Sequence, residues 1–455
     1  MTAPLMMLSQ VADWTGGEWR GDDRSLAAVC TDSRAITQHC LFVAIKGDRF
    51  DGHAYVDTAL QQGAAAALVA HGFASAHDQV VSVADTRKAL GQLASGYAQQ
   101  FDIPKIAVTG NAGKTTVKEM TAALLGQDAL ATKGNFNNDI GVPLTLLRLR
   151  REHQFGVFEL GANAPGEIAW TSALVRPDVV MITNVTGAHL EGFGSMQGIA
   201  NAKAEIFLGC KPGGTAIING DDSFADFFAA QATAQGLTTV RVSQHAPADI
   251  WADNIVTESA SVSFVLQPHN LRVQLPMPGR HQVSNALMAL AAAAAIAGDL
   301  ASRVDQLGKL APVPGRMQIA NVAGGTLVDD SYNANPGSVR AAIEWLAAQP
   351  APRCLVLGGL AELGEQGPSI IAELGADAHR AGIDHLLVMP ESQSAAAVFP
   401  GATVAPDHQA AAEFAKHILE QTGTVLVKGS RSAAMEQVVQ RINNNGDSLN
   451  KPGVC

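Results

Sequence analysis

The chain has 455 residues, of which 47% are apolar, and its formal net charge is −11 at pH 7. This apolar content is typical of a packed globular protein, and the length predicts about three domains. The negative charge argues against a nucleic acid or an anionic membrane as the main partner, although a nucleotide needs only a local basic site.

The cysteine pattern and the apolar runs indicate a cytoplasmic protein without membrane insertion. The five cysteines lie far apart, without metal-ligand spacing, which is typical of reduced thiols. The N-terminus lacks a basic segment followed by an apolar one, so we expect no signal peptide. The longest apolar run, at 286–298, is too short to span a bilayer and predicts a buried helix.

The first part of the chain predicts a small α/β domain. Apolar runs at 41–47 and 64–69 predict strands, and the segment 54–62 between them predicts a helix. Ser33 and Arg34 precede the first of these strands, where they could hold a polar ligand. By themselves, these residues fit an Asx-type turn with a solvated arginine better.

An apolar, β-branched run that ends at Thr109 leads into the glycine-containing segment 110–116 and then into a predicted helix at 117–125. Strand, glycine loop and helix form the geometry of a phosphate cradle, because the glycines let successive amides face an anion. Lys114 would reach the terminal phosphates, and Thr115 would offer a hydroxyl to Mg²⁺. A glycine turn without a nucleotide is the alternative, but the flanking strand and helix favour phosphate binding.

From residue 99 to about residue 312 the chain alternates predicted strands and helices, which indicates a mostly parallel sheet covered by helices. Strands are expected at 156–160, 179–185 and 215–219. Antiparallel strands that form an appendage are expected at 250–275, and a long helix at 281–297. Ligands of such sheets collect at the carboxyl ends of the strands.

Two residues of this region stand at predicted strand ends. A buried carboxylate is costly without a partner, so we favour a Mg²⁺ shared by Glu159 and Thr115 over a glutamate just beyond the strand edge. A lone histidine is more often structural than a ligand. The position of His189 after a neighbouring strand favours a functional role.

A proline- and glycine-containing boundary near residue 312 precedes a third unit, with strands expected at 327–329, 353–357, 385–388 and 425–427. The predicted fold class is α/β with three domains. They are a small N-terminal α/β domain at 1–98, a central domain at 99–312 with a P-loop-type, mostly parallel sheet flanked by helices, and a C-terminal Rossmann-like α/β domain at 313–455.

Six motifs resemble, in order, those of the Mur ligase family, and the resemblance covers nearly the whole chain; they lie at 109–120, 137–143, 159–163, 188–194, 329–336 and 427–436. The resemblance is to the members that join D-alanyl-D-alanine to UDP-N-acetylmuramoyl-tripeptide during peptidoglycan synthesis. It implies ATP and Mg²⁺ as cofactors, an acyl-phosphate intermediate, and closure of the domains around the substrates. We expect a monomer.

The resemblance also implies roles for individual residues. ATP is expected to contact Gly110, Asn111, Ala112, Gly113, Lys114, Thr115, Thr116, Asn285, Arg316 and Asp330. The expected catalytic residues are Lys114, Glu159, His189 and Lys203, and the expected Mg²⁺ ligands are Thr115, Glu159 and His189. Substrate contacts are expected from Ser33, Arg34, Asn138, Asn333 and Asn335.

Lys203 lies in a predicted helix, where a solvated lysine is the usual expectation. The resemblance implies something else, because the corresponding lysine of related Mur ligases can carry a carbamate. Burial beside Mg²⁺ would lower the pKa of the ammonium and leave a neutral amine that can capture CO₂. We therefore expect a carbamylated Lys203 that supports a second Mg²⁺.

Outside the family, the alternatives are a switch GTPase, a small-molecule kinase and a non-catalytic nucleotide-binding scaffold. The chain has no Asn-Lys-x-Asp guanine motif, which argues against the GTPase. The presence of Lys114, Thr115 and Glu159 argues against the scaffold. Phosphate release that depends on an amine would separate a ligase from a kinase.

Overall fold

Residues 4–47, 50–74, 77–186 and 190–444 are described by a computed structural model, and they form an α/β protein, as predicted. Three large sheets follow one another along the chain, and most of the strand pairs in each are parallel. None of the helices within these ranges is both long enough and apolar enough to cross a membrane.

The first sheet has five strands, and only one of them runs antiparallel to its neighbour. The elements of this part are β1 (Met6–Met7), α1 (Leu8–Thr15), β2 (Glu18–Trp19), β3 (Ser25–Leu26), β4 (Ala28–Cys30), β5 (Cys40–Val43), α2 (Val56–Gln61), β6 (Ala66–Ala70), β7 (Val80–Val83) and α3 (Thr86–Ala98). The strand order is β2-β7-β6-β5-β4. Strands β5 and β6 are continuous apolar runs because a parallel sheet is covered on both faces.

The central sheet has nine strands, and the predicted phosphate loop follows the third strand from one edge. Its elements are β8 (Lys105–Thr109), α4 (Lys114–Leu125), β9 (Ala129–Ala131), α5 (Gly141–Leu146), β10 (Phe155–Glu159), α6 (Glu167–Val175), β11 (Val179–Ile182), α7 (Leu190–Phe193), α8 (Met196–Ala204), β12 (Thr215–Asn219), α9 (Ala225–Ala234), β13 (Thr238–Ser243), β14 (Ile250–Thr257), β15 (Val262–Gln267), β16 (Leu271–Leu275) and α10 (His281–Ala297). The strand order is β16-β15-β14-β13-β12-β11-β8-β10-β9.

The topology of the central sheet places polar residues at one edge. Strand β8 lies between β10 and β11, and all three run parallel, so their carboxyl ends meet at the same edge. Helices α4 and α10 pack on the same face of this sheet. All but the last residue of the apolar run at 286–298 lies in α10, the buried helix that we predicted, and Gly298 caps this helix.

The third sheet has six strands, of which only the first runs antiparallel to its neighbour. Its elements are β17 (Gln318–Val322), β18 (Gly325–Asp330), α11 (Pro336–Ala347), β19 (Arg353–Leu357), α12 (Gly367–Arg380), β20 (His385–Val388), α13 (Gln393–Ala396), β21 (Thr403–Val404), α14 (His408–Glu420), β22 (Thr424–Lys428) and α15 (Glu436–Asn444). The strand order is β17-β18-β22-β19-β20-β21, and apolar clusters cover both faces.

Helix α3 connects the first sheet with the central one, because it contacts β6 of the first sheet and also packs against α5 and α6. Gly91 of α3 allows this close approach, since a Cβ there would lie 2.7 Å from the indole of Trp170. The hydroxyl of Tyr97 donates to the carbonyl of Leu149 at 2.7 Å. These buried contacts join the first two parts of the chain through packed side chains.

The structure corrects several predicted elements. Strand β5 ends at Val43, although the predicted strand continues to 47. Helix α4 begins at Lys114, earlier than the predicted 117, and β11 ends at Ile182 although a strand was predicted to continue to 185. The strands at 250–275 are antiparallel to one another, as predicted. They are no separate appendage, because β14 pairs in parallel with β13 and so extends the central sheet.

Candidate active site

The loop between β8 and α4 depends on two glycines. Gly110 has a φ of 139° and Gly113 a φ of 80°, a region of backbone space that favours glycine. A Cβ on Gly110 would lie 1.9 Å from the hydroxyl oxygen of Thr183, and one on Gly113 would lie 2.4 Å from Oδ1 of Asn285. Both backbone conformation and close packing therefore require glycine at these two positions.

Asn184, just beyond β11, holds the loop from one side. Its Oδ1 accepts from the amide of Ala112 at 2.9 Å, and its carbonyl accepts from the amide of Asn111 at 3.0 Å. These two amides are therefore engaged within the protein. The amides in the first turn of α4 have no acceptor within the helix, so they are the ones that an anion would meet.

Lys114 is tethered to the loop that it follows. Its Nζ donates to the carbonyl of Gly110 at 2.7 Å and contacts the carbonyl of Asn111 at 3.4 Å. Burial lowers the pKa of Lys114, whereas the negative charge of Glu159 acts in the opposite direction. The ammonium thus lies at the floor of the loop, where it would face bound phosphates.

Glu159 ends β10, and its side chain is 2% exposed. Its Oε1 accepts from Nδ2 of Asn137 at 2.8 Å, and its backbone amide donates to the hydroxyl of Thr132 at 3.0 Å. Its Oε2 has no hydrogen-bond partner among the described residues. A buried carboxylate oxygen left open in this way is the donor that a hard cation requires.

Lys203 of α8 is buried, with 1% of its surface exposed, so it is not a solvated helix lysine. Its Nζ lies 5.5 Å from the centroid of the Phe193 ring. Burial and, next, the positive charge of Lys114 lower the pKa of Lys203 to about 7. A substantial fraction of neutral amine is therefore present near neutral pH.

The first turn of α10 forms another wall of the site. Nδ2 of Asn285 donates to Oε1 of Gln282 at 2.9 Å, and Nε2 of Gln282 lies 3.1 Å from Nε2 of His281. Burial lowers the pKa of His281. Asn285 lies against the phosphate loop, as its closeness to the position of a Cβ on Gly113 indicates.

Residues beyond the central sheet complete the site from the opposite side. Nη2 of Arg316 donates to the hydroxyl of Thr115 at 3.1 Å, and the guanidinium carbon lies 4.7 Å from the centroid of the Tyr332 ring. Nδ2 of Asn335 donates to the carbonyl of Asn111 at 3.3 Å. The segments that adjoin the third sheet, before β17 and at the start of α11, therefore contact the phosphate loop directly.

An ion pair between Lys428 and Asp330 lies on the same side of the site. Nζ of Lys428 lies 2.5 Å from Oδ2 of Asp330 and also donates to the carbonyl of Asn333 at 3.1 Å. The other oxygen of Asp330 accepts from the amide of Met317 at 3.2 Å. These bonds fix the position of Asp330 and tie β18 to the adjacent end of β22.

A cavity of about 570 Å³ lies between these walls. Most of the predicted nucleotide, catalytic and substrate residues line it, and they are Asn111, Ala112, Gly113, Lys114, Thr115, Thr116, Glu159, Asn285, Arg316, Asp330, Asn333 and Asn335. Gly110 lies behind the loop and shapes it, and Lys203 lies in a buried position on α8. The structure thus brings together residues from three separate parts of the sequence.

Other predicted residues do not line this cavity. Ser33 and the exposed Arg34 lie in an Asx-type turn, in which Oδ1 of Asp32 accepts from the amide of Arg34 at 2.9 Å. Asn138 is exposed, and its Oδ1 accepts from the amide of Gly141 at 2.8 Å, at the start of α5. His189 lies outside the described residues.

Sequence reasoning missed several residues that line the cavity. Asn137 lines the cavity and donates to Glu159, whereas the sequence predicts a substrate contact for its neighbour Asn138. Tyr332 and Lys428 each lie within a motif that carried the resemblance, and this membership was the available signal. No local pattern indicated that Gln244 of the distant segment after β13 would also reach the cavity.

No cluster of three or more His, Cys, Asp or Glu side chains suited to a metal occurs in the described ranges. Thr115 and Glu159 both line the cavity and would be the residues that hold a cation there. The open Oε2 of Glu159 and the hydroxyl of Thr115 are hard oxygen donors, which fit Mg²⁺. The residues present thus fit Mg²⁺.

Comparison with known proteins identifies the family. Three family models match successive parts of the chain: the Mur ligase family catalytic domain at 25–98, the Mur ligase middle domain at 108–293, and the Mur ligase glutamate ligase domain at 315–431. UDP-N-acetylmuramoyl-tripeptide–D-alanyl-D-alanine ligase of Escherichia coli K12 is 44% identical, over 96% of this chain and 98% of its own length. The ligase of the same name from Haemophilus influenzae is 38% identical, over 92% of this chain and 94% of its own length.

Solved structures agree with these matches. A crystal structure of MurF from Acinetobacter baumannii has a TM-score of 0.91 at 34% identity, covering 97% of this chain and 100% of that one. MurF ligase from Thermotoga maritima, solved in complex with ADP, has a TM-score of 0.83 at 26% identity, covering 93% and 98%. Given this similarity in sequence and structure over almost its entire length, the chain belongs to the Mur ligase family.

Proposed function

We propose that this chain is an ATP-dependent amide ligase that joins D-alanyl-D-alanine to UDP-N-acetylmuramoyl-tripeptide. The observation that carries the proposal is that Lys114 and Glu159 line one cavity beside the first turn of α4, and that Oε2 of Glu159 has no hydrogen-bond partner among the described residues. The substrates follow from the name of the Escherichia coli relative, which is 44% identical. The product would be the UDP-linked pentapeptide precursor of peptidoglycan.

The reaction needs activation, because the oxygen of a carboxylate leaves badly. A carboxylate oxygen of the tripeptide attacks the γ-phosphorus of ATP, ADP departs, and an acyl phosphate forms. The dipeptide amine then attacks the acyl carbon, and the tetrahedral intermediate expels phosphate while the amine loses a proton. Lys114 and Arg316 would offset the charge on the transferring group, and closure of the domains over the cavity would protect the acyl phosphate from water.

Nucleotide binding is assigned to the loop and to the two walls beside it. The phosphates would lie against residues 110–116, the base near Asn285, and Arg316 and Asp330 would approach from the third sheet. The ADP complex of the Thermotoga maritima relative supports a nucleotide at this fold. Mg²⁺ would be held by Thr115 and Glu159, with His189 as a further ligand implied by the motif resemblance, and it would supply charge neutralisation at the phosphates.

Lys203 is proposed to carry a carbamate. Its neutral amine would attack CO₂ to form a C–N bond and release one proton, which leaves an anionic group with two oxygens. Burial of Lys203 and its pKa of about 7 support this assignment, because both favour the neutral amine. The carbamate would support a second Mg²⁺ near the first.

The remaining assignments concern substrates and organisation. We propose that Ser33 and Arg34 of the first domain bind the UDP end of the substrate, and that Asn138, Asn333 and Asn335 contact the peptide portions. The proposed domain boundaries are 1–98, 99–312 and 313–455. We also propose a cytoplasmic monomer, since ATP and UDP-linked sugars are cytoplasmic metabolites.

Phosphate release by the purified protein tests the function. With ATP and UDP-N-acetylmuramoyl-tripeptide present, release should depend on D-alanyl-D-alanine, and mass spectrometry should find the UDP-linked pentapeptide. D-Alanyl-D-alanine with an acetylated amine is the matched control and should give no product. Phosphorylation of one substrate with no amide product would instead indicate the kinase.

A further inference from the structure

The carboxylate of Glu159 is held unequally at its two oxygens. Its Oε1 accepts a hydrogen bond of 2.8 Å from Nδ2 of Asn137, whereas its Oε2 is buried and has no hydrogen-bond partner among the residues that the structure describes. A carboxylate that is fixed through one oxygen cannot rotate freely, so the direction of the other oxygen is set. Asn137 therefore determines which way the open oxygen points.

The side-chain amide of Asn137 has little freedom, because the backbone of this residue is fixed on both sides. The backbone carbonyl of Asn137 accepts from the backbone amide of Gly161 at 2.8 Å, and the backbone amide of Asn137 donates to the carbonyl of Asn135 at 2.7 Å. A Cβ on Gly161 would lie 2.9 Å from both Cγ and Oδ1 of Asn137. The glycine two residues after Glu159 thus leaves room for the asparagine that orients it.

The backbone of Glu159 is secured independently of Asn137. Its amide donates to the hydroxyl of Thr132, and the carbonyl of Thr132 accepts from the buried Nζ of Lys118 at 2.7 Å. Removal of the Asn137 amide should therefore release the carboxylate without displacing the strand. This separation makes the role of Asn137 testable without loss of the fold.

We propose that Asn137 is a positioning residue that directs Oε2 of Glu159 toward the divalent cation of the bound nucleotide. The proposal rests on the function proposed above, and it deepens the assignment of Glu159 to the metal. Groups that hydrogen-bond to metal ligands typically change metal affinity or activity by about 10–100-fold when they are replaced. Asn137→Ala leaves Oε1 without its donor, so the carboxylate must be oriented again for every binding event.

The test measures binding of Mn²⁺ to the protein–ADP complex by electron paramagnetic resonance, which requires no turnover. Asn137→Ala should weaken Mn²⁺ binding by about 10–100-fold, and Gly161→Ala, which displaces the same amide, should weaken it in the same direction. Asn321→Ala, the same replacement at an exposed position of β17, is the control and should leave binding unchanged. Excess Mg²⁺ should restore the ligation rate of Asn137→Ala, which a damaged fold would not permit.

Glu159→Gln separates this proposal from the function on which it rests. If Glu159→Gln weakens Mn²⁺ binding while Asn137→Ala and Gly161→Ala leave it unchanged, the role of Asn137 is overturned and the metal assignment stands. If none of the three weakens binding, Glu159 is not a ligand and both assignments fail. The positioning role is also overturned if Asn137→Ala is folded and binds Mn²⁺ weakly, but excess Mg²⁺ does not restore its ligation rate.

Discussion

Lys114 and Lys203 are two buried lysines in the same region, and their surroundings suit different tasks. Lys114 lies against backbone carbonyls and near Glu159, which helps to keep it charged at the phosphate loop. Lys203 lies beneath Phe193 and is influenced by the charge of Lys114, so it loses its proton more easily. One site can therefore contain both a cation for phosphates and an amine for CO₂.

Lys114→Met should lower the ligation rate by at least about 100-fold, because removing one preorganised charge-stabilising group typically costs about 10²–10³ in kcat. The measurement is amide product per unit time at saturating ATP. Lys309→Met, which removes an exposed lysine outside the cavity, should keep the normal rate. A folded Lys114→Met with a rate close to normal would remove Lys114 from the reaction.

Lys203 should make stability depend on pH. Its pKa of about 7 in the folded chain is below the usual 10.5, so between these values the unfolded chain binds a proton that the folded chain lacks. Because of this group, the free energy of unfolding increases with pH by about 1.4 kcal/mol per pH unit, and the increase is complete near pH 10.5. Urea unfolding at pH 7.5 and 9 in CO₂-free buffer should show this slope, and Lys203→Met should remove it. Equal slopes in the two proteins would mean that Lys203 is charged in the folded state.

Among the elements, the loop before α4 has the strictest backbone requirement. Gly113→Ala would place a Cβ 2.4 Å from Oδ1 of Asn285 and would strain a backbone with a φ of 80°. We expect the affinity for ADP, measured by calorimetry, to fall by at least about 10-fold, since 1.4 kcal/mol of lost binding corresponds to that factor. Gly126→Ala is a matched control, because Gly126 also has a positive φ but a Cβ there would meet no atom of the described residues within 4 Å. Equal affinities in Gly113→Ala and Gly126→Ala would show that the loop does not hold the nucleotide.

Elements with uniform local patterns could be predicted from the sequence. Strands β12, β19 and β20 are short apolar runs, and helix α10 is a long one; all four have the predicted bounds. Strand β11 ends earlier than predicted because the side chains of residues 183 and 184 instead hydrogen-bond to the backbone of Ala112 in the phosphate loop. Two-residue strands such as β21 have no pattern to recognise, because neighbouring strands create them.

The candidate site was predictable only in part, for a similar reason. The phosphate loop is contiguous in sequence, so its glycines, lysine and threonine could be selected together. The pair Asn137–Glu159 joins segments on different strands and loops, and only the fold shows which of two adjacent asparagines reaches the carboxylate. Arg316 was placed near the nucleotide by resemblance, and the structure adds its contact with Thr115.

At the scale of the whole molecule, Arg316 and Asn335, in segments that adjoin the third sheet, contact the phosphate loop. Closure over the substrates would retain or tighten these contacts. With an ATP analogue and UDP-tripeptide bound, solution scattering should therefore give the radius of gyration that is calculated from the present structure. The forward scattering should give the 47.3 kDa mass of a monomer. A larger radius of gyration with both ligands bound, at monomer mass, would contradict closure.

The most direct measurement follows an oxygen atom through the reaction. UDP-N-acetylmuramoyl-tripeptide is prepared with ¹⁸O in both oxygens of its reacting carboxylate and incubated with the enzyme, ATP and D-alanyl-D-alanine. If an acyl phosphate forms, its bridging oxygen leaves with the phosphate, so each phosphate released should carry one ¹⁸O and the amide should retain the other. Phosphate without ¹⁸O, formed together with the pentapeptide product, would contradict activation of the carboxylate by phosphoryl transfer.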